Sequence, residues 1–157
     1  SYVMDGFAYA GEALSGKYYG AGDKQGLHAT VRNLFQFGFL MAVVFMGIYM
    51  IGGTGFLHLL TDDNTVVEAA RPYLLWACFI PVVGVTAFIL DGVFIGLTDT
   101  KGMLFSTVMA MVLFFIVYFV FRDWLANYAL WLAFLSFLLM RGAASMLWMR
   151  FFSTIDV

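Results

Sequence analysis

The residues of this sequence best suited to chemistry are ionisable side chains that lie in otherwise apolar segments. Asp91 falls within I-L-D-G-V-F-I-G-L-T-D-T (residues 89–100), and Glu12, Arg141 and Asp5 lie in two other long segments with few charges. A carboxylate placed in this way can exchange a proton or bind a cation, and an arginine can neutralise it. These four residues are therefore the candidate site.

Three of the four are predicted to lie at one depth. Asp91 lies eight residues before Asp99, Glu12 eight before Gly20 and Arg141 nine before Arg150, and these three positions mark one end of the predicted bundle. At 1.5 Å per residue, each is about 12–13 Å from that end, with Asp5 two turns further away. If Arg141 neutralises one acid, the other remains to exchange a proton or bind a cation.

A structural interpretation of the same residues stays open. An ionisable group at this depth costs about 2.5–3.5 kcal/mol on insertion scales, so such groups pair with one another or line a wet path. An arginine–acid pair could equally be a link between helices without any further role. Glu12 could also reach water from a position near a helix end.

The composition predicts an integral membrane protein. Of the 157 residues, 63% are hydrophobic and 11% are charged, and the mean hydropathy is +0.91. A soluble domain has more charged surface because its outside faces water, so the expected surroundings are a lipid bilayer. The net charge of −2 offers no basic surface for nucleic acid, and the single Cys78 cannot form an intrachain disulfide.

Hydropathy and turn residues predict the helices that position the candidate site. A helix crosses a bilayer with about 20 apolar residues. The fold class is predicted as all-α, with five transmembrane helices over residues 2–20, 27–60, 65–97, 101–121 and 126–152. The first helix contains Asp5, Glu12 and Lys17, and it is counted because its apolar residues recur at helical spacing.

Basic residues predict the orientation of these helices. One end of the predicted bundle carries Lys17, Lys24, Arg32, Lys101 and Arg150. The other end carries Arg71 and Arg122 among several acids. The first end is therefore predicted to be cytoplasmic, as is the C-terminus, and the first, third and fifth helices run inward.

Two of the inward-running helices carry glycines four residues apart. The pairs are Gly16 with Gly20, and Gly92 with Gly96. Small residues at this spacing let two helices approach closely in lipid. We therefore expect close helix packing at these positions.

The patterns typical of enzymes are incomplete in this sequence. Residues 11–17 fit G-x-x-x-x-G-K, but Tyr18 follows where Ser or Thr is required, and no strand precedes the motif. His28 and His58 lie at opposite ends of one predicted helix, about 45 Å apart, so they share no site. No cluster of His, Cys and carboxylates has metal-ligand spacing. The sequence predicts no enzymatic activity, metal site or cofactor.

Four segments, taken in order, resemble one known family. They are D-G-F-A-Y-A-G-E-A-L-S-G-K-Y-Y-G-A-G-D (5–23), L-T-D-D (60–63), R-P-Y-L-L-W (71–76) and L-D-G-V-F-I-G-L-T-D-T (90–100). They are similar to the eighth helix and its following turn, and to the ninth-to-tenth connection and tenth helix, of MATE multidrug transporters. The similarity is greatest to the DinF-like branch, and it covers nearly the whole chain.

The resemblance implies a twelve-helix transporter with two six-helix lobes around a central cavity. Residues 1–157 would form a partial C-terminal lobe, and its partner would be the remaining N-terminal lobe of the same protein. Members exchange H⁺ or Na⁺ for small organic, often cationic, compounds across the bacterial inner membrane by alternating access. Some carry a coupling acid in the tenth helix, a position that Asp91 matches. In the DinF-like branch the better-known coupling aspartate is in the first helix, which would make Asp91 secondary.

Three functions remain open at this stage. The first is multidrug efflux by H⁺ or Na⁺ antiport, with Asp91 and Glu12 as coupling acids and Arg141 as the counter-charge. The second is a flippase of lipid-linked precursors, which several cavity-facing basic residues would favour. The third is a non-transporting membrane scaffold, which unrelated positions of the buried charges would favour. The abrupt start S-Y-V-M-D-G-F predicts that the chain is part of a longer protein.

Overall fold

The computed structural model describes residues 2–151, apart from the side chains of residues 2, 54, 56, 59 and 60. Its elements are α1 (Tyr2–Gly20), α2 (Lys24–Leu60), α3 (Asn64–Ala70), a 3₁₀ turn (Arg71–Tyr73), α4 (Leu74–Gly96), α5 (Thr100–Leu125) and α6 (Asn127–Phe151). All regular structure within residues 2–151 is helical, which confirms the all-α prediction. Residue 152, the predicted end of the last helix, lies outside the described residues.

The third predicted helix contains a local change of helix type. The apolar run Asn64–Gly96 comprises α3, the 3₁₀ turn and α4. Pro72 has no backbone N–H, so the α-helical hydrogen bond from this position cannot form. Ala70, Arg71 and Leu74 keep right-handed helical dihedral angles, so the run stays helical through the turn.

Aspartates begin three of the helices. Asp23, Asp63 and Asp99 accept hydrogen bonds from the backbone N–H groups of Gly26, Thr65 and Gly102, at 2.9, 2.9 and 3.1 Å. Such side chains satisfy backbone donors that the first turn leaves unpaired. Hydrogen bonds from the side chain and backbone of Thr65 lower the pKa of the exposed Asp63 carboxyl. The cap at Asp23 also explains why α2 begins at Lys24, earlier than the predicted residue 27.

Helix α4 is the centre of the bundle, because α1, α2 and α6 all pack against it. Its side chains at Val85, Ile89, Leu90, Val93 and Phe94 are at most 1% exposed. Lipid tails are as apolar as these side chains, so burial alone gives little drive for association within a membrane. Close packing between the helices must provide the stabilisation instead.

Glycines of α4 bring the backbones of α1 and α4 into contact. A Cβ atom at Gly92 would overlap the carbonyl oxygen of Ala8, and one at Gly96 would lie 2.5 Å from the carbonyl oxygen of Glu12. The close approach expected at these two glycines is therefore confirmed. The expectation for Gly20 is wrong, because a Cβ atom there would meet nothing within 4 Å.

The order of contacts gives the relative direction of three helices. The contacting pairs are Gly92 with Ala8, Gly96 with Glu12, Gly84 with Leu138, and Gly142 with Thr86. Residue numbers rise together along each interface, so α1, α4 and α6 run parallel. The predicted common direction of these helices is confirmed, while their orientation relative to the cytoplasm stays a prediction.

Within residues 2–151, four helical segments are long and apolar enough to cross a bilayer, and these are Lys24–Gly53, Asn64–Gly96, Thr100–Leu125 and Asn127–Phe151. Helix α5 has the expected lipid-facing surface, with Leu104, Val108, Met111, Ile116 and Val120 all exposed. Helix α1 does not reach the same apolarity, and it carries three charged residues among its 19. The chain is thus a multi-pass membrane protein, and a fifth crossing by α1 stays a prediction.

Helix α2 is 37 residues long and has a kink at Gly53. Gly53 has φ 45° and ψ −129°, a conformation that glycine adopts without the steric cost a side chain would add. The kink divides α2 into a long run from Lys24 and a short segment that ends at Leu60.

Replacement of Gly92 by alanine is expected to destabilise the protein. The added methyl group must separate α1 from α4, and we expect the free energy of unfolding in detergent to fall by about 1–3 kcal/mol or more. Gly47→Ala is the matched control, because a Cβ atom there meets nothing within 4 Å. Equal unfolding free energies for the two variants would contradict the close α1–α4 contact.

Candidate functional site

Asp91 of α4 and Arg141 of α6 form an ion pair. Nη2 of Arg141 donates to Oδ2 of Asp91 at 2.7 Å, and the two side chains are 23% and 14% exposed, respectively. Charge-assisted hydrogen bonds of this length are among the stronger ones in proteins. Arg141 therefore neutralises Asp91, as one of the sequence-based alternatives supposed.

Small residues beside Arg141 bring α6 close to α4. A Cβ atom at Gly142 would lie 3.1 Å from Cβ of Thr86, and one at Gly84 would lie 3.6 Å from Cδ1 of Leu138. Helices that approach at such positions let a long arginine side chain reach a carboxylate on the neighbouring helix. Gly142 directly follows Arg141 in the sequence, so α6 approaches α4 at the level where the arginine side chain reaches Asp91.

The ion pair leaves part of its hydrogen-bonding capacity unused. Oδ1 of Asp91, Nε of Arg141 and Oγ of Ser145 are buried and have no hydrogen-bond partner within residues 2–151. Each buried polar group without a partner costs about 1–3 kcal/mol, so such groups usually bind water or an ion. Across the same residues, no group of three His, Cys, Asp or Glu side chains could hold a metal ion.

Glu12 lies further along the bundle axis than Asp91, by a distance of a few residues. Gly11 packs against the backbone of Ile89 and Val93, on either side of Asp91, while Gly92 packs against Ala8. These contacts place Asp91 between the levels of Phe7 and Gly11, so Glu12 is about 1.5–7.5 Å along the axis from Asp91. The Glu12 side chain is half-buried, and the described residues give its carboxylate no ion pair or hydrogen bond. The common depth of Asp91, Glu12 and Arg141 stays a prediction.

Half-buried Asp5 lies on the other side of the level of Asp91 from Glu12. The same contacts place Asp5 about 3–9 Å from Asp91 along the axis. This separation is smaller than the two turns expected from the sequence. The depths were counted from the helix ends, but α1 extends past the level at which α4 ends.

A hydrogen bond that the sequence did not predict links the α4–α5 turn to α6. Nε1 of Trp148 donates to Oδ2 of Asp99 at 2.9 Å, while Oδ1 of the same carboxylate caps α5. The indole ring lies against Gly102, where a Cβ atom would be 2.5 Å from Cδ1 of Trp148. The sequence does contain a signal for this contact, because Asp99 precedes Gly102 by three residues. The aspartate can cap the helix, and the glycine leaves room for an aromatic ring.

A separate apolar cavity of about 690 Å³ lies toward the other end of α4. Its walls come from α2, the end of α3, the 3₁₀ turn, α4 and α6, and they include Tyr49, Tyr73, Cys78 and Trp131. The rings of Tyr73 and Trp131 stack with centroids 5.9 Å apart and an interplanar angle of 12°. Among the described residues, its lining includes no Asp, Glu, Lys, Arg or His, so the cavity is chemically distinct from the Asp91–Arg141 pair.

Apolar parallel helices, glycine contacts and an ion pair between them define a polytopic helical membrane protein with a charged site in its interior. Residues 1–121 match the MatE family model, and the chain belongs to this family, whose members are transporters and not enzymes. DNA damage-inducible protein F of Escherichia coli (strain K12) is 38% identical to it over 151 residues. These findings confirm the resemblance drawn from the sequence segments.

The comparison with the E. coli protein covers 96% of this chain but 33% of the relative, so the chain spans about a third of that protein's length. No solved structure matches the chain.

A double-mutant cycle should reveal the strength of the ion pair. Asp91→Asn leaves Arg141 charged without its partner, and we expect it to lower the free energy of unfolding by about 3 kcal/mol. Arg141→Gln should lower the free energy of unfolding by a similar amount, because it leaves the Asp91 carboxylate without its partner. The double variant should be more stable than the sum predicts, with a coupling energy of about 1–3 kcal/mol. Denaturation in detergent measures all four proteins, and strictly additive losses would mean that the pair contributes no coupling.

Proposed function

We propose that this chain forms most of the C-terminal lobe of a secondary active exporter, which exchanges H⁺ or Na⁺ for small organic compounds. The observation that carries this proposal is the Asp91–Arg141 ion pair among apolar helices of a MatE-family chain. A buried ion pair is often no more stabilising than apolar side chains of the same volume. Stability alone is therefore a poor explanation for it, and an ion-dependent role explains it better.

In the proposed mechanism, Asp91 alternates between two partners. In one state the Asp91 carboxylate binds Arg141, and in the other it binds the coupling ion. Binding of H⁺ or Na⁺ neutralises the carboxylate, which weakens its attraction to Arg141 and loosens α6 from α4. The ion and the organic compound favour different arrangements of the helices, and this difference couples their movements.

The acids of α1 are further candidates for ion binding. The Glu12 carboxylate is half-buried and has no charged partner among the described residues. Asp5 is about 3–9 Å from Asp91 along the helix axis. We propose that Glu12 and Asp5 assist Asp91, on the side of the bundle where α1 meets α4.

The charges of the site favour small organic cations as substrates. Asp91 and Arg141 neutralise each other, so the half-buried Glu12 leaves the region with excess negative charge. A flippase of lipid-linked precursors would need a cation for the lipid phosphate. Arg141 is already bound to Asp91, which disfavours that alternative. In a non-transporting scaffold, the pair would act as a structural link alone.

The proposed location is the bacterial inner membrane, with the C-terminus in the cytoplasm. The bacterial relative and the basic residues at one end of the bundle support this placement. The N-terminal lobe of the same protein is the proposed partner across the substrate cavity. Three features stay proposals on this basis: the twelve-helix architecture, the alternating access and the orientation.

Transport measurements test the role of Asp91. In the complete transporter reconstituted in proteoliposomes, we expect Asp91→Asn to slow the gradient-driven efflux of an organic cation about tenfold or more, equivalent to about 1.4 kcal/mol. Asp91→Glu keeps the charge and should retain more of the activity, and Glu12→Gln should give a smaller loss. Imposed pH and sodium gradients, applied separately, identify the coupling ion.

Asp123→Asn is the matched control, because it neutralises an aspartate whose side chain is 76% exposed. We expect this variant to transport normally. Unchanged efflux in both Asp91→Asn and Glu12→Gln would refute the proposed coupling role of these acids.

A further inference from the structure

Three serines of the described helices are completely buried, and one of them differs from the others in its hydrogen bonding. Ser15 donates its hydroxyl hydrogen to the carbonyl oxygen of Gly11, and Ser106 donates to that of Met103 at 3.0 Å. Serines in helices commonly satisfy their hydroxyl groups in this way. Ser145 is equally buried, at 0% exposure, but its Oγ has no partner in the described part of the chain. Its hydroxyl group therefore points to a partner other than its own helix.

Ser145 lies beside the ion pair. It follows Arg141 by four residues on α6, so the two side chains occupy the same face, with Cβ atoms about 5–6 Å apart. The other two buried atoms without a partner, Oδ1 of Asp91 and Nε of Arg141, belong to the pair itself. All three unsatisfied groups are thus concentrated around one α4–α6 contact.

We propose that Ser145 holds a buried water molecule against the Asp91–Arg141 pair. Arg141 Nε–H is a donor, Asp91 Oδ1 is an acceptor, and the Ser145 hydroxyl group is both. One water molecule can accept from Nε–H, donate to Oδ1 and bond to Oγ. Buried waters typically make about three hydrogen bonds to otherwise unsatisfied groups, which is the number available here.

A neutral ligand fits this site better than an ion. The Arg141 guanidinium lies 2.7 Å from the Asp91 carboxylate, so a cation beside Oδ1 would also be close to a positive charge. An anion beside Nε would be repelled by Asp91 for the same reason. Two consecutive hydrogen bonds of about 2.8 Å span roughly 5–6 Å, which matches the separation of side chains one helical turn apart.

The water molecule would also pass a proton to Asp91, and this role rests on the proposed function. When the water accepts a proton, it can donate a proton to Oδ1 of Asp91 and so return to its neutral state. Ser145 is then a positioning residue, because it acts through the water and does not itself bind the ion. Its hydroxyl group would hold the water in place, and with it the route for the proton, while Asp91 is paired with Arg141.

Nuclear magnetic resonance of ¹⁵N-arginine protein in lipid tests the water site directly. The other arginines of the described chain are exposed, and these are Arg32, Arg71, Arg122 and Arg150. The Nε–H signal of Arg141 is identified by its loss in Arg141→Lys. We expect magnetisation transfer from water to this group in the unaltered protein. Ser145→Ala should reduce the transfer by at least about twofold, because it removes one hydrogen bond that holds the water.

Ser106→Ala is the matched control, since it removes a buried hydroxyl group bonded within its own helix. It should leave the Arg141 signal unchanged. Equal transfer in Ser145→Ala and the unaltered protein, or no transfer in either, would overturn the water site. A thermal unfolding scan of each variant confirms that the comparison is between folded proteins.

Transport separates this inference from the proposed function. In the complete transporter, Ser145→Ala should slow proton-driven efflux several-fold without abolishing it, and Ser106→Ala should not. A loss of the water signal with unchanged efflux would refute the positioning role while the water site stands. If Asp91→Asn also transports normally, the proposed function fails, and the magnetic resonance result still decides the water site.

Discussion

Two neighbouring residues of α4 hold two different helices against it. Asp91 forms an ion pair with α6, while Gly92 lets the backbone of α1 approach to contact distance. Successive residues of a helix point about 100° apart, so one dipeptide serves two interfaces. In lipid, hydrophobic burial contributes little to helix association, so specific contacts of this kind matter more. A change at Asp91 therefore acts on the contact with α6, and a change at Gly92 acts on the contact with α1.

The features that sequence reasoning predicted are those that depend on local pattern. Long apolar runs predicted the helices, and the small residues at positions 92 and 96 predicted close packing of α4 against a neighbouring helix. The prediction of the depths of the acids was less accurate. Counting from the helix ends assumes that the ends are level, whereas Gly16 of α1 packs against Gly96 at the end of α4 and α1 continues beyond it. Asp5 is therefore nearer to the depth of Asp91 than the predicted two turns.

Contacts between residues that are far apart in the sequence could not be predicted from the periodicity of apolar residues. Trp148 and Asp99 are 49 positions apart, and their hydrogen bond depends on the antiparallel packing of α5 and α6. The lack of a hydrogen-bond partner for the Ser145 hydroxyl group within the described residues could not be predicted either. Its sequence context resembles that of Ser15 and Ser106, whose hydroxyl groups do have partners. The apolar cavity likewise needs the positions of three helices before it can be seen. Such features become visible only once the tertiary structure is known.

The length of α2 has a consequence for how the protein meets the membrane surface. Its 30 residues from Lys24 to Gly53 extend about 45 Å, which equals the thickness of a bilayer with its headgroups. A straight helix of 37 residues would be longer than this thickness. The bend at Gly53 falls where the long run has already reached that length, so the turns after it take a different direction.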